Sequence, residues 1–441
     1  MPELETYFTP DHLSAVFDAI YNGHFDVIAE RPRISTGADR IELSLFERDK
    51  EKHFAAISRK VLRGKYAFSP FLERQIPKPE STEMRTISVA SIRDSVVQRA
   101  LYEYVYPTVD ERLSSAIFGY RRGRSAHDAV RLIRRFYANG LTFVFDADLR
   151  QFFDSVDHGV LLEMVGQLGL DERVNTLIRR FLKTGRIPSA QVEEHKARTG
   201  KKEKYRPEPR QIGVPQGGVL SGLLANLYLS PLDREIEGRY PGYVRYADDF
   251  LVCCAHRDEC AEVHRLVEAT LEPLRVNLNG DKTRECVLAE SGVDFLGFRI
   301  STRGIRVRGR NVTKFKRRIQ GVLDTQRIYR SPGATLRSLA RRLQFKIRGP
   351  SQDQLDRMAE RGRVISPCRR SWIGFFRIVD DLAQIRALDR WIRRQVSKFM
   401  WERHRCRVGL GAMQGCGMPS LVNSLWKARS GEQRTLPEDR E

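Results

Sequence analysis

Two adjacent aspartates, Asp248 and Asp249, lie between two short apolar runs in the stretch GYVRYADDFLVCC. Neighbouring carboxylates repel each other, and each loses favourable hydration when it is buried. The alternating runs 243–246 and 250–253 predict two antiparallel strands, with Ala247 and both aspartates at the tight connection. Aspartate is common in turns, so this pair taken alone would be explained as a polar hairpin tip.

A second pair of carboxylates favours a chemical role instead. In FVFDADLRQFF, Asp146 and Asp148 lie two residues apart and so share one face of a strand predicted over 141–149. Strand pairing would bring Asp148 beside Asp248 and Asp249. Three grouped carboxylates need cations between them, and hard oxygen ligands select Mg²⁺. Two such ions about 4 Å apart clamp the attacking and leaving oxygens of a phosphoryl transfer, which is how a polymerase makes a phosphodiester bond.

The elements that must position these residues are helices and strands in irregular order, which predicts an α+β fold. Residues 1–75 show mostly helical spacing, and helical spacing returns after about residue 312. The segment VDFLGFRIS predicts a single strand. Residues 184–211 are rich in Lys, Arg, Glu and Pro with little apolar periodicity, and we expect a basic loop or insertion there.

Seven sequence blocks, in order along the chain, resemble the motifs of reverse transcriptases, and the most similar pattern is that of group II intron enzymes. RYADDFLV resembles the aromatic-x-Asp-Asp motif, FDADLRQFFDSVDH the first catalytic motif, and GVPQGGVLSGLLANLYLSPLD the Pro-Gln-Gly motif. The other blocks are MRTISVASIRDSVVQRAL, GYRRGRSAHDAV, LNGDKT and DFLGFRI. A weaker resemblance to the thumb and maturase region continues through SWIGFFRIVDDLAQIRALDRWIRRQVSKFMWERHR.

The resemblance implies a right-hand polymerase with fingers, a palm built from an antiparallel sheet packed on helices, and a helical basic thumb. We expect an N-terminal helical extension at residues 1–75, fingers at 76–140 and a palm at 141–300. A thumb or maturase-like domain would follow at 301–405 and a C-terminal tail at 406–441. The resemblance also implies that Asp148, Asp248 and Asp249 are catalytic and bind two Mg²⁺ ions. Asp249 is expected to be a ligand or to lie close behind one. Asp146 would tune the site electrostatically.

The resemblance further implies a nucleotide site. Phe153, five residues after Asp148, would crowd the 2′-hydroxyl of a ribonucleotide and so favour deoxynucleotides, or it would be a core aromatic. Gly222 stands where the family commonly has Pro, which leaves the helix start open. The remaining expected nucleotide-binding residues are Lys78, Arg85, Gln216, Gly217 and Lys282. For Lys282, a general acid toward pyrophosphate and an ordinary turn residue both stay open.

Two groups of basic residues are expected to bind nucleic acid. Arg121, Arg122 and Arg124 lie beside glycines, where the chain can approach a template backbone closely. In LDRWIRRQVSKFMWERHR an apolar stripe at helical spacing predicts core packing, and the basic residues fall mostly on the other faces. Those basic residues are Arg390, Arg393, Arg394 and Lys398.

Charge separates the last third of the chain from the rest. The net charge is +21, and residues 301–441 hold 33 basic and 12 acidic residues, so the rest of the chain is neutral. Arginine suits bidentate phosphate contacts, which favours a nucleic-acid-binding module attached to a charge-balanced body. No long apolar run or secretory signal is visible, and the seven cysteines lack regular spacing. We therefore expect a cytoplasmic protein with reduced thiols and no membrane partner.

These observations predict an RNA-directed DNA polymerase that uses an RNA template, a DNA or RNA primer and dNTPs. A mainly RNA-binding maturase for intron splicing stays open as the alternative. A third possibility is a domesticated antiphage-defence reverse transcriptase, in which the template would be a dedicated non-coding RNA rather than an intron.

Overall fold

The computed structural model describes residues 3–23, 25–26, 31–32, 34–77, 84–197, 205–350 and 371–434. The chain divides into two compact units. The first unit comprises Met1–Ala129 and Phe143–Cys286, and the second comprises Val130–Thr142 and Val287–Glu441. Helices and strands are mixed in the described part of the chain, which confirms the predicted α+β class.

The described strands fall into four sheets. They are β1 (Phe25–Asp26), β2 (Arg31–Pro32), β3 (Phe71–Pro77), β4 (Met84–Val89), β5 (Phe143–Asp148), β6 (Arg186–Ile187), β7 (Tyr243–Tyr246), β8 (Asp249–Cys254), β9 (Arg284–Leu288), β10 (Val293–Phe295), β11 (Phe298–Ser301) and β12 (Gly304–Val307).

The described helices extend from Leu4 to Arg434. They are α1 (Leu4–Tyr7), α2 (Pro10–Gly23), α3 (Leu43–Arg48), α4 (Lys50–Leu62), α5 (Ile92–Asp110), α6 (Ala126–Ala138), α7 (Phe152–Ser155), α8 (His158–Gly166), α9 (Glu172–Leu182), α10 (Ser189–Ala197), α11 (Val219–Tyr228), α12 (Ser230–Arg239), α13 (Arg257–Leu271), α14 (Gly309–Asp324), α15 (Pro332–Arg348), α16 (Trp372–Phe375), α17 (Leu382–His404), α18 (Leu410–Gly415) and α19 (Leu421–Arg434).

A four-stranded sheet in the order β7-β8-β5-β9 carries the predicted carboxylates. β8 pairs antiparallel with both β7 and β5. Successive residues of a strand point to opposite faces, and β5 is buried from Val144 to Ala147, so both faces of this strand are covered. The sheet therefore holds the ends of β5 and β8 in a fixed register.

Helix α11 forms the centre of the first unit. It is buried from Leu220 to Tyr228 and packs against α5 and α8. A helix that is apolar on nearly all sides belongs in the interior of a large domain. The Gly-rich segment before α11 is thereby tied to the core.

The prediction of a loop over residues 184–211 is wrong for part of that segment. β6 pairs in parallel with β3, and the β3–β4 hairpin completes this small sheet. Helix α10 follows β6 and buries Val192 against Leu72 and Ile187. One apolar contact of this kind leaves no helical periodicity in a charged sequence. Residues 198–204 lie outside the described residues.

The segment predicted as one strand, VDFLGFRIS, is two strands. β10 and β11 pair antiparallel, with Phe295 opposite Phe298. The two connecting residues, Leu296 and Gly297, have φ values of +49° and +89°. Positive φ at both positions gives the tight turn whose twist suits a hairpin.

The second unit combines the β10–β11–β12 sheet with helices α14, α15, α17 and α19. The apolar stripe predicted along α17 is buried at Leu388, Ile392, Val396 and Phe399. None of the helices in the described part of the chain has both the length and the apolar character that a membrane span needs.

Candidate active site

The ends of β5 and β8 bring three predicted carboxylates together. Asp148, the last residue of β5, is paired directly with Asp249, the first residue of β8. Asp248 lies in the turn before β8, and its carbonyl accepts a hydrogen bond from the Leu149 amide at 3.2 Å. Asp249 thus belongs to the strand rather than to the turn. The predicted meeting of the two carboxylate segments is present in the structure.

The turn itself has a conformation that few residues adopt. Ala247 has φ +61°, in the left-handed region that is unfavourable for side chains other than glycine and asparagine. Its carbonyl accepts a hydrogen bond of 2.8 Å from Nη1 of Arg245. Gly119 lies against the other side, where an added Cβ would be 2.5 Å from the Ala247 nitrogen. The turn is therefore held by contacts from two sides.

Negative charge is concentrated at this end of the sheet. Burial raises the pKa of Asp248, and the charge of Asp148 raises it further. Burial also raises the pKa of Asp249 well above its usual value, and Asp146 and Asp148 add to that shift. Carboxylates in this state gain free energy from any cation that reaches them.

Two basic side chains supply positive charge next to these carboxylates. Lys282 donates a hydrogen bond through Nζ to Oδ2 of Asp148. Burial lowers the pKa of Lys282, but the bond to Asp148 and the charges of Asp148, Asp248 and Asp249 together outweigh burial, so the net shift is upward. Nη2 of Arg284 lies 3.3 Å from Oδ2 of Asp146, which is 6% exposed. Asp146 is therefore neutralised from the neighbouring strand β9.

The donor set fits a divalent cation, although the side chains are not yet arranged around one. Among the described residues, no group of three His, Cys, Asp or Glu side chains already forms a metal-binding cluster. Oδ2 of Asp148 is hydrogen-bonded to Lys282, so an ion that binds this oxygen would displace Lys282 from it. The carboxylates of Asp148, Asp248 and Asp249 are hard oxygen donors, which are the ligands that Mg²⁺ requires, and the pKa values of Asp248 and Asp249, raised by burial and by the neighbouring carboxylates, show that negative charge is crowded there.

Two aromatic rings pack against each other, and one of them, Tyr120, lies near Asp248. Phe153, in the short helix α7, is 8% exposed. Its ring centroid is 6.1 Å from that of Tyr120, at an angle of 72°. Burial raises the pKa of Tyr120, and the charge of Asp248 adds to the shift. Tyr120 is thus a residue of the site that the sequence analysis did not identify.

The Tyr120 ring also explains the glycine at the position where the family commonly has proline. A Cβ on Gly222 would lie 2.5 Å from two ring atoms of Tyr120. Helix α11 begins at Val219 regardless, with Gly218 preceding it as the N-cap residue. Gly222 therefore makes room for an aromatic ring and does not mark a change in the helix start.

The Pro-Gln-Gly segment is joined to the β3–β4 hairpin. Gln216 accepts a 3.3 Å hydrogen bond from Nε of Arg85 through its side chain, and its carbonyl accepts a 2.8 Å bond from Ser88. Gly217 has φ +104°, which side chains rarely adopt. The structure thus brings Arg85, Gln216 and Gly217 together. Lys78 lies outside the described residues.

The arginines beside the glycines make different contacts. Arg121 donates to Asp110 at 2.8 Å and to the Ser114 carbonyl at 2.6 Å, so it supports its own loop. Arg124 donates to the Ser115 carbonyl at 2.7 Å. Arg122 is exposed, and its guanidinium lies over the rings of Tyr102 and Tyr106.

In the second unit, the basic residues predicted on α17 lie off its buried stripe. Arg390, Arg394 and Lys398 are exposed, and Arg393 is half-buried. Nη2 of Arg393 lies 3.5 Å from Asp389, and Nζ of Lys398 lies 3.8 Å from Glu402.

Sequence reasoning missed a buried ion pair beside the turn at Ala247 and Asp248. Arg245 is fully buried, and its Nε and Nη2 each donate a 2.7 Å bond to Asp233. Asn226 accepts from Arg245 at 3.1 Å and donates to the Gly119 carbonyl at 2.9 Å. Tyr243 donates to Asp233 at 2.8 Å. The available signal was an arginine inside an otherwise apolar strand next to the two aspartates.

Comparison with known proteins gives the family. The family model described as reverse transcriptase (RNA-dependent DNA polymerase) matches residues 76–300. YkfC of Escherichia coli (strain K12) is 27% identical over 309 residues, which cover 60% of this chain and 75% of that protein. The group II intron-encoded protein LtrA of Lactococcus lactis subsp. cremoris is 32% identical over 187 residues, covering 42% of this chain and 28% of LtrA.

The third relative is an intron maturase. Nuclear intron maturase 2, mitochondrial, of Arabidopsis thaliana is 27% identical over 241 residues, covering 46% of this chain and 32% of that protein. This chain therefore spans about a third or less of LtrA and of the maturase, and three quarters of YkfC. The family match includes β5, β8 and all three clustered carboxylates. The chain belongs to the reverse transcriptase family, and group II intron-encoded proteins are among its relatives.

Proposed function

We propose that the protein is an RNA-directed DNA polymerase that copies an RNA template by two-metal phosphoryl transfer. The observation that carries this proposal is the direct pairing of Asp148 with Asp249, beside Asp248, within the family match. Three carboxylates at one point cost free energy in the absence of a cation, so a purely structural role gives no reason to keep them there.

The three carboxylates would hold two Mg²⁺ ions. When bound, such ions activate the attacking hydroxyl and stabilise charge on the transferring phosphoryl group. Asp148, Asp248 and Asp249 would orient the ions, and the fixed register of β5 and β8 keeps the backbone of Asp148 next to that of Asp249 before substrate arrives. Preorganised charge of this kind needs little rearrangement during the reaction.

Other residues would bind the nucleotide. Arg85 is exposed and already bonded to Gln216, which suits a guanidinium that contacts phosphate oxygens. Phe153 would face the sugar. Lys282, once released from Asp148, would lie near the leaving pyrophosphate and could donate a proton to it. Lys78 remains a proposed partner of the triphosphate.

The template and primer would be held by basic residues of both units. Arg122 and Arg124 are proposed to contact the template backbone. Arg121 would do so only by giving up its bonds to Asp110 and Ser114. Arg390, Arg393, Arg394 and Lys398 are proposed to bind template–primer duplex or structured RNA.

Primer extension tests the proposal. Purified protein with an RNA template, a DNA primer, dNTPs and Mg²⁺ should make cDNA, and Asp248→Asn combined with Asp249→Asn should abolish it. Asp258→Asn is the matched control, because it removes an exposed carboxylate elsewhere in the first unit. Full synthesis by the double variant would refute the site assignment.

The biological role is a separate proposal. The relatives LtrA and the maturase favour a group II intron-like protein that binds its own structured RNA, with splicing assistance as a second activity. Sequencing the RNA that copurifies would distinguish the possibilities. An intron RNA supports this proposal, whereas a short dedicated RNA supports the antiphage-defence alternative.

A further inference from the structure

A pocket of about 800 Å³ lies within the second unit and has no part in the proposed chemistry. Its lining comes from α14, α15 and α16. This volume is within the range of about 300–1,000 Å³ that is usual for ligand sites. The side chains that line it indicate what kind of ligand it would take.

The charged side chains among the described lining residues of the pocket are all basic. Lys314, Arg318 and Lys346 line it, and none of the three forms an ion pair with another residue of the described chain. Arg342 also lines it and is held in place by hydrogen bonds of 2.9 and 3.1 Å to the Thr325 carbonyl and Gln326. None of the described lining residues is acidic. The pocket therefore favours an anion.

Aromatic rings line the same pocket. Phe345 projects from α15 and is half-buried. Trp372 is also half-buried, and it stacks on Phe315 with ring centroids 4.0 Å apart and an angle of 23°. Phe315 is 2% exposed, so it fixes the orientation of the indole from the core side. Rigid rings beside several cations suit a ligand that is both aromatic and anionic.

We propose that this pocket binds a single-stranded stretch of nucleic acid. Unpaired bases stack on Phe345 and Trp372, while Lys314, Arg318 and Lys346 contact the phosphates. Stacking needs an exposed base face, which a duplex hides within its own stack, so the site selects unpaired nucleotides. This function goes beyond DNA synthesis and does not depend on the carboxylate site.

Photo-crosslinking to the full-length protein locates the bound strand. The probe is a hexauridylate RNA that carries one 4-thiouridine, and the polymerase site is first occupied with excess template–primer duplex. Crosslinked peptides should include Phe345 or Trp372. Crosslinks confined to the first unit would overturn the proposal. Neither outcome depends on whether the protein makes DNA.

A substitution at Phe345 separates base stacking from packing. Phe345→Leu keeps an apolar side chain but removes the aromatic face, so the fold should persist. Loss of a stacked base should weaken binding of fluorescent hexauridylate roughly 5- to 100-fold. A hexameric abasic phosphodiester should bind equally to both proteins. Equal hexauridylate affinity in the variant, or equal competition by hexaglutamate, would contradict a nucleic-acid site.

The charge contribution has its own matched control. Lys314→Gln with Lys346→Gln removes two phosphate contacts, which should lower the slope of log affinity against log salt by about 1.4 for a single strand. Lys427→Gln removes an exposed lysine of α19 that does not line the pocket, and should leave the slope nearly unchanged. Equal slopes for wild type and the double variant would show that Lys314 and Lys346 do not contact the phosphates.

Discussion

At the scale of single residues, Phe153 is the proposed filter against the 2′-hydroxyl of a ribonucleotide. Its ring is 8% exposed and is flanked by Tyr120 and by Phe152, whose centroid lies 5.8 Å away. These two contacts restrict movement of the Phe153 ring. A rigid aromatic in this position is the arrangement that a steric filter against a 2′-hydroxyl requires.

Phe153→Ala should therefore increase ribonucleotide incorporation relative to deoxynucleotide incorporation. Removing the ring opens the space that the 2′-hydroxyl would enter, and we expect the preference for dNTPs to fall by at least tenfold, about 1.4 kcal/mol of discrimination. Competition between dNTP and rNTP in primer extension measures the ratio. Phe153→Tyr keeps the ring and should keep the preference. An unchanged ratio in Phe153→Ala would assign this ring to the core alone.

Gly222 gives a second prediction at this scale. Gly222→Ala places a methyl group 2.5 Å from the Tyr120 ring, so the ring or the helix must shift. Overpacking of this kind costs about 1–3 kcal/mol. Gly238→Ala is the control, because Gly238 lies in helix α12 with nothing within 4 Å of its added Cβ. Thermal unfolding should show Gly222→Ala destabilised and Gly238→Ala equal to or above wild type.

At the scale of elements, the turn at Ala247 and Asp248 is held by a hydrogen-bond network that joins β7 to helices α11 and α12. Arg245 reaches Asp233 on α12 and Asn226 on α11, and it also holds the Ala247 carbonyl. Asn226 in turn holds the Gly119 loop that packs against the turn. Movement of α11, which follows the Pro-Gln-Gly segment, would therefore displace the turn that carries Asp248.

Asp233→Ala tests this network. The substitution leaves Arg245 buried without its partner, and breaking a buried pair in this way costs about 3–5 kcal/mol. Urea denaturation monitored by circular dichroism measures the loss. Glu235→Ala on the same helix removes an exposed partner of Arg239 and should cost less than about 1 kcal/mol. A similar cost for both variants would show that the buried pair contributes little.

The sequence predicted the elements whose signals are local. Alternation gave β5, β7 and β8, and the spacing of four aspartates predicted that Asp148 meets the Asp248–Asp249 pair. Helix α6 begins beside Ser125, and the Asp128 amide donates to the Ser125 hydroxyl at 3.3 Å, a capping bond that serine commonly supplies. These features need only a few neighbouring residues to specify them.

Features that depend on distant partners were missed. Nothing near Arg245 in the chain indicates that Asp233 and Asn226 satisfy its guanidinium. Tyr120 becomes a site residue only because α11 carries a glycine opposite its ring. Helix α10 packs through Val192 onto a strand more than a hundred residues earlier. Such contacts follow from the tertiary arrangement, which periodicity along the chain does not encode.

At the scale of the whole molecule, the net charge is distributed unevenly along the chain. The net +21 arises entirely from residues 301–441, while the carboxylate site lies in the neutral part of the chain. A strongly basic unit binds phosphate backbones largely without regard to sequence, and its affinity falls with salt.

Arg390 and Arg394 offer the sharpest test of that division. Both are exposed one turn apart on α17, whereas Arg393 and Lys398 already lie near acids of the same helix. Arg390→Gln with Arg394→Gln should weaken template–primer binding and lower the slope of log affinity against log salt by roughly 1.5, because two phosphate contacts are lost. Fluorescence anisotropy across a salt series measures this slope. The control, Arg59→Gln with Lys60→Gln, removes two exposed charges from the first unit. If both double variants changed the slope equally, binding would follow net charge alone and not the face of α17.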